Sequence, residues 1–415
     1  MRKRWILAIL ALVLLLVAGV AAAGYVVWQK RHPGTIRGSS STEFVATEEP
    51  GVATRPEKQV QKIPWPTYGY DEQRSRFSPG FDLRPPFDVA WQRGTGSLLE
   101  FPPVVAYGRV YVGANDGRFI ALEAETGHLS WKKEFGRCIA SSPTVSRGVV
   151  YQPLMDPFPC AQHKLNAPGY VVALDAHTGE ELWRFQAGVV ETSPLVVGNL
   201  LYFGSWDTKM YAVDVKTHKA VWTFPTGDAL KAGPAYAHGT LYFASYDDKV
   251  YAVDALTGKL RWSASGTANF YATPTLAYGR VFIGNTDGRV YAFGEQSGHL
   301  LWAKATGGYV YSSAAVWQKT VYVGSYSKRF YALDAGSGDV RWSFDAGAPI
   351  SGAPTVLDGI VYFSTLGEKT FGLDARNGKK LWEFGDGKYS PVVADEQHVY
   401  LAGYKKLYGL LPRGG

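Results

Sequence analysis

Eight tryptophans recur at a nearly constant interval, and this periodicity constrains the fold more than any other feature of the chain. They are Trp91, Trp131, Trp183, Trp222, Trp262, Trp302, Trp342 and Trp382. Neighbouring members stand 40 residues apart, except for intervals of 52 and 39 residues on either side of Trp183. Each tryptophan ends one copy of a phrase such as "VYAVDALTGKLRW" (250–262). A fixed period of this length is typical of repeat architectures.

One copy of the repeat, "AGPAYAHGTLYFASYDDKVYAVDALTGKLRWSA" (232–264), reads as four short strands separated by "HG", "SYDD" and "ALTG". In the last break Asp254 can accept hydrogen bonds from turn amides, and Gly258 can adopt positive φ. A lone four-stranded sheet cannot bury both faces, whereas a ring of such sheets buries each face against a neighbour. The sequence therefore predicts an all-β, eight-bladed β-propeller of four-stranded blades.

The two ends of the repeat region complement each other. The C-terminal "YSPVVADEQHVYLAGYKKLYGLLPR" contains three strands without a closing tryptophan strand, and "PFDVAWQRGTG" near the start is a tryptophan strand without the preceding three. Pairing these segments completes the eighth blade and closes the ring. We expect residues 61–415 to form one monomeric propeller.

The N-terminus predicts a membrane segment. After "MRKR", no charged residue occurs between Trp5 and Trp28, which is long enough for a helix over about residues 5–28 to span a bilayer. Residues 1–31 would then form a short cytoplasmic tail and signal-anchor, with the propeller on the extracytoplasmic side of the cytoplasmic membrane. A signal peptide cleaved near Ala21–Ala23 is the alternative. Residues 32–60 are rich in Gly, Pro, Ser and Thr and predict a flexible linker.

The formal net charge of +7 does not indicate a nucleic-acid partner. Residues 1–60 hold eight Lys or Arg and four Asp or Glu, so the remaining 35 basic and 32 acidic residues nearly balance. The propeller sequence has no basic stripe of the kind that phosphate binding requires.

Two sets of loop residues are candidate binding sites, because the D-to-A and B-to-C connections (strands lettered from the axis outward) fall on the same face of a propeller. The D-to-A loops vary between blades and should surround the channel mouth, where they place Glu100, Glu191, Lys231, Tyr271, Tyr311 and Lys388. These residues could bind a ligand or merely line a hydrated channel. The B-to-C turns carry aromatic residues interpreted as an exposed protein-binding face: Trp206, Tyr246, Tyr326 and Tyr404.

The two cysteines lie in one blade. Cys138 is in a D-to-A loop and Cys160 is in a B-to-C insertion of the same blade, so both fall on one face. We expect a Cys138–Cys160 disulfide in an oxidising exterior. Two cysteines with only His163 nearby do not favour a zinc site, and no metal site is predicted.

The repeated motif resembles that of a known family. The spacing Ala252-x-Asp254-x-x-x-Gly258-x-x-x-Trp262 is similar to the tryptophan-docking motif of pyrroloquinoline quinone (PQQ) repeat propellers, which include quinoprotein dehydrogenases and BamB-type outer-membrane assembly lipoproteins. Departures from the motif are Glu123 and Gly294 in the Asp position, His218 in the Gly position and Gly372 in the Ala position. The resemblance implies a structural role for the eight tryptophans, each packed between adjacent blades.

The same resemblance leaves two functions open. Dehydrogenases of the family are longer, hold PQQ against a disulfide between adjacent cysteines and bind calcium, whereas this chain has no adjacent cysteines. BamB-type members are anchored through a lipidated cysteine, and here a hydrophobic segment stands in its place. We therefore expect no catalytic residues and no cofactor, but a membrane-anchored scaffold or ligand sensor with an unidentified envelope or membrane protein as partner. A PQQ-dependent dehydrogenase is the alternative.

Overall fold

Eight antiparallel sheets form the ring that the repeats predict. The computed structural model describes residues 15–25, 28, 34–47, 63–160, 167–390 and 392–414. Blades 1 to 7 follow one another along the chain, and each begins with its short innermost strand. The prediction of an eight-bladed propeller with four strands in each blade is confirmed.

Blade 1 consists of β3 (Val104–Ala106), β4 (Arg109–Gly113), β5 (Arg118–Glu123) and β6 (Leu129–Glu134). Blade 2 consists of β7 (Thr144–Ser146), β8 (Val149–Leu154), β9 (Pro168–Asp175) and β10 (Glu181–Gly188). Blade 3 consists of β11 (Leu195–Val197), β12 (Leu200–Gly204), β13 (Lys209–Asp214) and β14 (Ala220–Pro225). Blade 4 consists of β15 (Ala235–Ala237), β16 (Thr240–Ala244), β17 (Lys249–Asp254) and β18 (Leu260–Ser265).

Blade 5 consists of β19 (Thr275–Ala277), β20 (Arg280–Gly284), β21 (Arg289–Gly294) and β22 (Leu300–Ala305). Blade 6 consists of β23 (Ala315–Trp317), β24 (Thr320–Gly324), β25 (Arg329–Asp334) and β26 (Val340–Asp345). Blade 7 consists of β27 (Thr355–Leu357), β28 (Ile360–Thr365), β29 (Lys369–Asp374) and β30 (Lys380–Phe384).

The eighth blade joins the two ends of the repeat region. It consists of β31 (Val392–Ala394), β32 (Val399–Ala402), β33 (Lys406–Pro412) and the early strand β2 (Phe87–Gly94). Strand β2 pairs antiparallel with β33 along its whole length, from Phe87 opposite Pro412 to Gly94 opposite Lys406. The predicted closure is therefore confirmed, and the outermost strand of blade 8 comes from the opposite end of the sequence.

The tryptophans fill the seams between blades. Trp302 is 1% exposed, and its indole Nε1 donates a hydrogen bond to the carbonyl oxygen of Ala335 in the next blade at 3.2 Å. The equivalent bonds join Trp91 to Ala124, Trp131 to Ala176, Trp222 to Ala255, Trp262 to Glu295 and Trp342 to Ala375. Gly338 lies under the Trp302 ring at φ +77°, where an added Cβ would come within 2.7 Å of the indole. Glycine is required there for both its conformation and its lack of a side chain.

Two seams depart from this pattern. His218 replaces the glycine that would face Trp183, and its imidazole stacks on the indole with ring centroids 4.7 Å apart. In the seam between blades 7 and 8, Trp382 meets the ring of Phe87 edge-on at 5.4 Å. In both places an aromatic ring covers the tryptophan where the other seams have a turn glycine.

A segment before the first blade runs along the inside of the ring. Residues 65–76, called here the channel strap, accept hydrogen bonds from amides of the innermost strands. Donors from six blades contribute: Val105, Val145, Tyr236, Leu276, Val316 and Val356. The strap then continues into β1 (Phe77–Ser78), which pairs parallel with β27. Because innermost strands leave one edge unpaired, the strap satisfies donors that would otherwise face the channel.

Arg74 anchors the strap at the centre of the ring. It is fully buried, and its guanidinium donates to the carbonyl oxygens of Pro234 at 2.8 Å, Pro194 at 3.0 Å and Tyr68, and to the hydroxyl of Thr67 at 2.7 Å. Burial and then the neighbouring charge of Arg76 lower the pKa of Arg74 to about 9. The hydrogen bonds compensate for the loss of solvation of the buried cation.

The N-terminal predictions are only partly covered by the described residues. Residues 15–25 are helical, and within the described part of the chain no helix is both long and apolar enough to cross a membrane. Residues 1–14, 26–27 and 29–33 of the predicted tail, span and linker lie outside the described residues, as do 48–60 of the linker. The transmembrane segment remains a prediction.

The described part of the predicted linker contacts the propeller. Ile36 forms an antiparallel bridge with Ala303 in the outermost strand of blade 5. Further along, the ring of Phe44 packs against Tyr278 at 5.5 Å, and Arg280 donates to the carbonyl oxygen of Thr42 at 2.7 Å. Residues 34–47 therefore lie against blade 5.

Candidate functional site at the channel mouth

The D-to-A loops surround a cavity of about 300 Å³ at the mouth of the channel. Each predicted mouth residue stands four positions before the first residue of an innermost strand, as Glu100 does before Val104 and Tyr271 before Thr275. This shared register places their side chains at equivalent points around the axis. Glu100, Lys231, Tyr271 and Tyr311 line the cavity.

The other two predicted mouth residues lie beside the cavity. Glu191 is 6% exposed and reaches the lining through Tyr271, whose hydroxyl donates to Oε1 of Glu191 at 3.1 Å. Lys388 lies outside the lining and pairs with Oε1 of Glu368 at 3.3 Å. The neighbouring Tyr389 lines the cavity instead.

Glu191 is the centre of a polar network. Its Oε2 accepts a hydrogen bond from the indole Nε1 of Trp206 at 3.0 Å and lies 4.0 Å from the ammonium nitrogen of Lys231. The same ammonium group lies 4.1 Å from the centroid of the Trp206 ring and 4.9 Å from that of Tyr246. A carboxylate and two aromatic faces therefore hold the lysine in place.

Glu100 is the second carboxyl group of the mouth. Burial, and after it the nearby charge of Glu191, raise the pKa of Glu100 to about 7 against the opposing effect of Lys231. At neutral pH both the protonated and the ionised form of this carboxyl group are populated, so a charged ligand in the cavity can shift the balance between them.

The predicted aromatic face and the predicted mouth form one structure. Tyr311 packs edge-on against Tyr271 at 4.8 Å and against Tyr326 at 5.0 Å. Tyr246 contacts Tyr271 at 6.0 Å, and Tyr404 lies under the ammonium group of Lys388 at 4.2 Å. Each aromatic residue of a B-to-C turn thus contacts a D-to-A loop.

The interpretation of Trp206 as an exposed aromatic is wrong. Its side chain is 5% exposed, because the indole bonds to Glu191 and belongs to a buried cluster with Cys138 and Met155. Tyr246, Tyr326 and Tyr404 are partly buried. A role for these residues in binding a partner remains a prediction.

The two cysteines form a disulfide behind this wall. Cys138 and Cys160 are bonded, with their Cα atoms 5.9 Å apart, and Cys138 is fully buried. Backbone hydrogen bonds between Cys138 and both Met155 and Asp156 hold the loop and the insertion together. The disulfide therefore stabilises the wall against which Trp206 packs.

The donor groups of the mouth do not fit the PQQ and calcium ion that dehydrogenases of the PQQ-repeat family bind. Within the described ranges no group of three or more His, Cys, Asp or Glu residues is placed to hold a metal ion. The ammonium group of Lys231 already neutralises Glu191. The disulfide joins cysteines 22 positions apart, and neither of them lines the cavity.

Comparison with known proteins places the chain in a family. The family model described as outer membrane protein assembly factor BamB matches residues 16–217, 207–312 and 286–415. The chain belongs to this family of PQQ-repeat propellers. The crystal structure of BamB from Moraxella catarrhalis superposes with a TM-score of 0.65 at 13% identity, covering 78% of this chain and 99% of that one, which shows the shared fold.

Curated relatives of this BamB-family protein include an enzyme and an assembly factor. It is 31% identical over 175 residues to methanol dehydrogenase (cytochrome c) subunit 1 from Methylobacterium organophilum, covering 36% of this chain and 27% of that protein. It is 25% identical over 135 residues to outer membrane protein assembly factor BamB from Escherichia coli (strain K12), covering 30% of this chain and 31% of that protein. The chain spans less than a third of the length of either relative.

Sequence reasoning missed the strap and its contribution to the mouth. Tyr68 from the strap lines the cavity together with Ser193, Ser313 and Tyr389. The available signal was "WPTYGYDEQRSRF" (65–77), which places aromatic residues and two arginines ahead of the first repeat without matching the repeat.

Proposed function

We propose that this protein is a non-catalytic binding protein of the cell envelope that recognises its ligand or partner at the mouth of its central channel. The observation that carries the proposal is the cavity of about 300 Å³, with Tyr68 of the strap in its wall and carboxyl, ammonium and phenol groups converging on it. Concave sites with a few convergent polar groups are the usual places where proteins bind ligands.

The chemistry of the mouth supports binding over catalysis. The carboxylate of Glu191 accepts hydrogen bonds from Trp206 and Tyr271 and pairs with Lys231, so it serves as a fixed structural counter-charge. Tyr68, Tyr271 and Tyr311 add aromatic surface beside Glu100, which is typical of ligand-binding pockets. Membership of the BamB family supports a scaffold role, with an envelope or membrane protein as the partner.

The placement in the envelope is part of the proposal. The uncharged stretch from Trp5 to Trp28 supports an N-terminal signal-anchor with the propeller on the extracytoplasmic side. N-terminal sequencing of the protein recovered from membranes tests this directly. An intact N-terminus is expected, whereas a new terminus near residue 24 would indicate a cleaved signal peptide.

A dehydrogenase is the competing function, and a spectroscopic assay separates the two. The purified full-length protein in detergent is incubated with PQQ and calcium, and then with methanol or ethanol and an electron-accepting dye. We expect no bound quinone absorption and no alcohol-dependent reduction of the dye. Either signal would contradict the non-catalytic proposal.

Binding at the mouth is tested by photo-crosslinking in intact cells. A photoreactive amino acid at Tyr326 beside the cavity should give a discrete crosslinked product, and the same residue at Val340 on the outer strand of that blade serves as the control. Ser351→Phe, which fills part of the cavity, should abolish the product from position 326. Equal products from both positions, unaffected by Ser351→Phe, would contradict recognition at the mouth.

A further inference from the structure

Lys231 shows how this face of the propeller accommodates a cation. Its ammonium nitrogen lies 4.1 Å from the centroid of the Trp206 ring, 4.9 Å from that of Tyr246 and 4.0 Å from Oε2 of Glu191. Aromatic faces carry negative electrostatic potential and attract cations, most strongly where water is excluded. The chain therefore contains a built ammonium site of its own.

Lys388 repeats the arrangement on the other side of the axis. Its ammonium nitrogen lies 4.2 Å from the centroid of the Tyr404 ring, 5.8 Å from that of Tyr389 and 3.3 Å from Oε1 of Glu368. Two blades thus use the same combination of one lysine, two aromatic rings and one glutamate. The combination is a property of this face and not of a single blade.

The cavity between these two sites has a second acid and further rings, while its lining lysine, Lys231, is already paired with Glu191. The backbone carbonyl of Glu100 accepts a hydrogen bond from Ser390, but no donor among the described residues reaches its carboxyl group. The rings of Tyr271, Tyr311 and Tyr326 line the same cavity. Glu100 is therefore a partly buried acid facing aromatic walls, with its hydrogen-bonding capacity unused.

The charges around the cavity also favour a cation. Glu191 and Lys231 are the charged groups that act on Glu100, and they offset one another. The buried guanidinium groups of Arg74 and Arg76 are balanced by Asp71 and Glu72, which lie in the same strap. An ionised Glu100 consequently leaves the mouth with one net negative charge.

We propose that the cavity binds an organic ammonium ion, a primary amine or a guanidinium group, with Glu100 as its counter-charge and the rings of Tyr271 and Tyr311 against its aliphatic part. The inference rests on the proposed function, since it names the ligand class for the same cavity. A divalent metal ion is a poorer match, because calcium takes six to eight oxygen ligands and the aromatic walls supply none beyond phenol groups. The cavity volume of about 300 Å³ suits a short alkyl amine or one basic side chain.

Isothermal titration calorimetry on the full-length protein in detergent tests the inference. The probes are 1,5-diaminopentane and the peptide acetyl-Gly-Lys-Gly-amide, which separate a free amine from a lysine side chain, with pentanoate and 1-pentanol as anionic and neutral analogues. We expect saturable binding of at least one ammonium probe and none of pentanoate. Glu100→Gln should weaken that binding about tenfold or more, since it removes a charge-assisted contact.

The controls separate charge from folding. Glu383→Gln makes the same chemical change at a surface carboxylate that pairs with Lys369 and Lys380, and it should leave binding unchanged. Melting temperatures show whether each variant is folded. Glu100→Asp keeps the charge and should retain most of the affinity, and it provides the test if Glu100→Gln proves unstable.

Three results would overturn the inference in different ways. The absence of binding by both ammonium probes contradicts it, and so does equal binding to Glu100→Gln. Binding of pentanoate or pentanol that Ser351→Phe blocks contradicts the cation but leaves the mouth as a binding site. If neither amine binds but Ser351→Phe abolishes the crosslink from position 326, the proposed function is supported and the inference of a cationic ligand is contradicted.

Discussion

The seams between the blades and the inside of the channel are both buried, yet they are built in different ways. A seam such as that of Trp302 and Gly338 uses one local motif that recurs around the ring. The channel is filled by the strap, whose residues have no counterpart in any blade and whose partners come from six of them. The regular region shows how the ring is held together, while the irregular region contributes Tyr68 to the mouth, where the D-to-A loops differ from blade to blade.

Replacement of Arg74 by alanine should give the largest effect, because it removes the cation that ties the strap to the ring. The substitution removes the guanidinium donor from the buried carbonyl oxygens of Pro194 and Pro234. We expect a loss of about 5 kcal/mol in the free energy of unfolding, at the upper end of the range for single substitutions. Denaturant unfolding followed by tryptophan fluorescence measures it.

The matched control is an arginine on the surface. Arg413 pairs with Asp88 at 2.7 Å, and both side chains are exposed. Arg413→Ala should leave the unfolding midpoint unchanged, because exposed ion pairs are screened by solvent. If Arg74→Ala and Arg413→Ala have equal effects, the strap does not hold the ring together.

A seam substitution should have a somewhat smaller effect. Trp302→Ala removes a side chain that is 1% exposed and opens a cavity between blades 5 and 6, for an expected loss of about 4 kcal/mol. Gly338→Ala on the opposite wall should also destabilise, since its Cβ would press on the same indole at 2.7 Å. A loss below about 1 kcal/mol for Trp302→Ala, in the same unfolding assay, would show that the neighbouring seams carry the ring.

The sequence predicts the seams well because their information is local. Asp, Gly and Trp stand at fixed spacing within one copy, and the copy itself repeats, so both the turn and its partner strand can be read from a few residues. Even the exception follows the same logic. His218 stands at the glycine position of its turn, and its ring stacks on Trp183 where the other seams have a turn glycine.

The strap and the burial of Trp206 could not be predicted in this way. The strap bonds to backbone groups, which every residue carries, so no side-chain pattern marks its partners. The position of Trp206 in a turn suggested exposure, but the carboxylate that buries it, Glu191, belongs to the preceding D-to-A loop. The register of the D-to-A loops did bring Glu100, Lys231 and Tyr271 to one cavity, although their distances and charges depend on the folded ring.

The affinity of the mouth for a cationic ligand should depend on pH. Burial and Glu191 raise the pKa of Glu100 to about 7, with Lys231 opposing them and Tyr271 and Tyr389 facing the same group. The fraction of ionised Glu100 then rises about tenfold between pH 6 and pH 8, and the affinity for an ammonium probe should rise by about the same factor. Titration calorimetry at a series of pH values measures this dependence.

The same pKa fixes the sign of an effect on stability. Between pH 4.5 and pH 7 the folded protein holds a proton on Glu100 that the unfolded chain has released, so this group makes stability fall as pH rises through that window. Glu100→Gln should be stabilised relative to the native protein at pH 8 and should lose the pH dependence of ammonium binding. A pH profile identical to that of the native protein would assign the titration to another group.

The smallest effect is expected at the seam of His218, one of the two seams in which an aromatic ring covers the tryptophan. His218 occupies a turn at φ +60°, which is unfavourable for a residue with a side chain, and its ring stacks on Trp183 at 4.7 Å. His218→Gly relieves the backbone cost and loses the stacking, two terms of about 1 kcal/mol with opposite signs. We therefore expect a net change within about 1 kcal/mol by denaturant unfolding. His218→Ala keeps the backbone cost and loses the ring, so it should be the less stable of the two, and the reverse order would mean that the stacking does not support this seam.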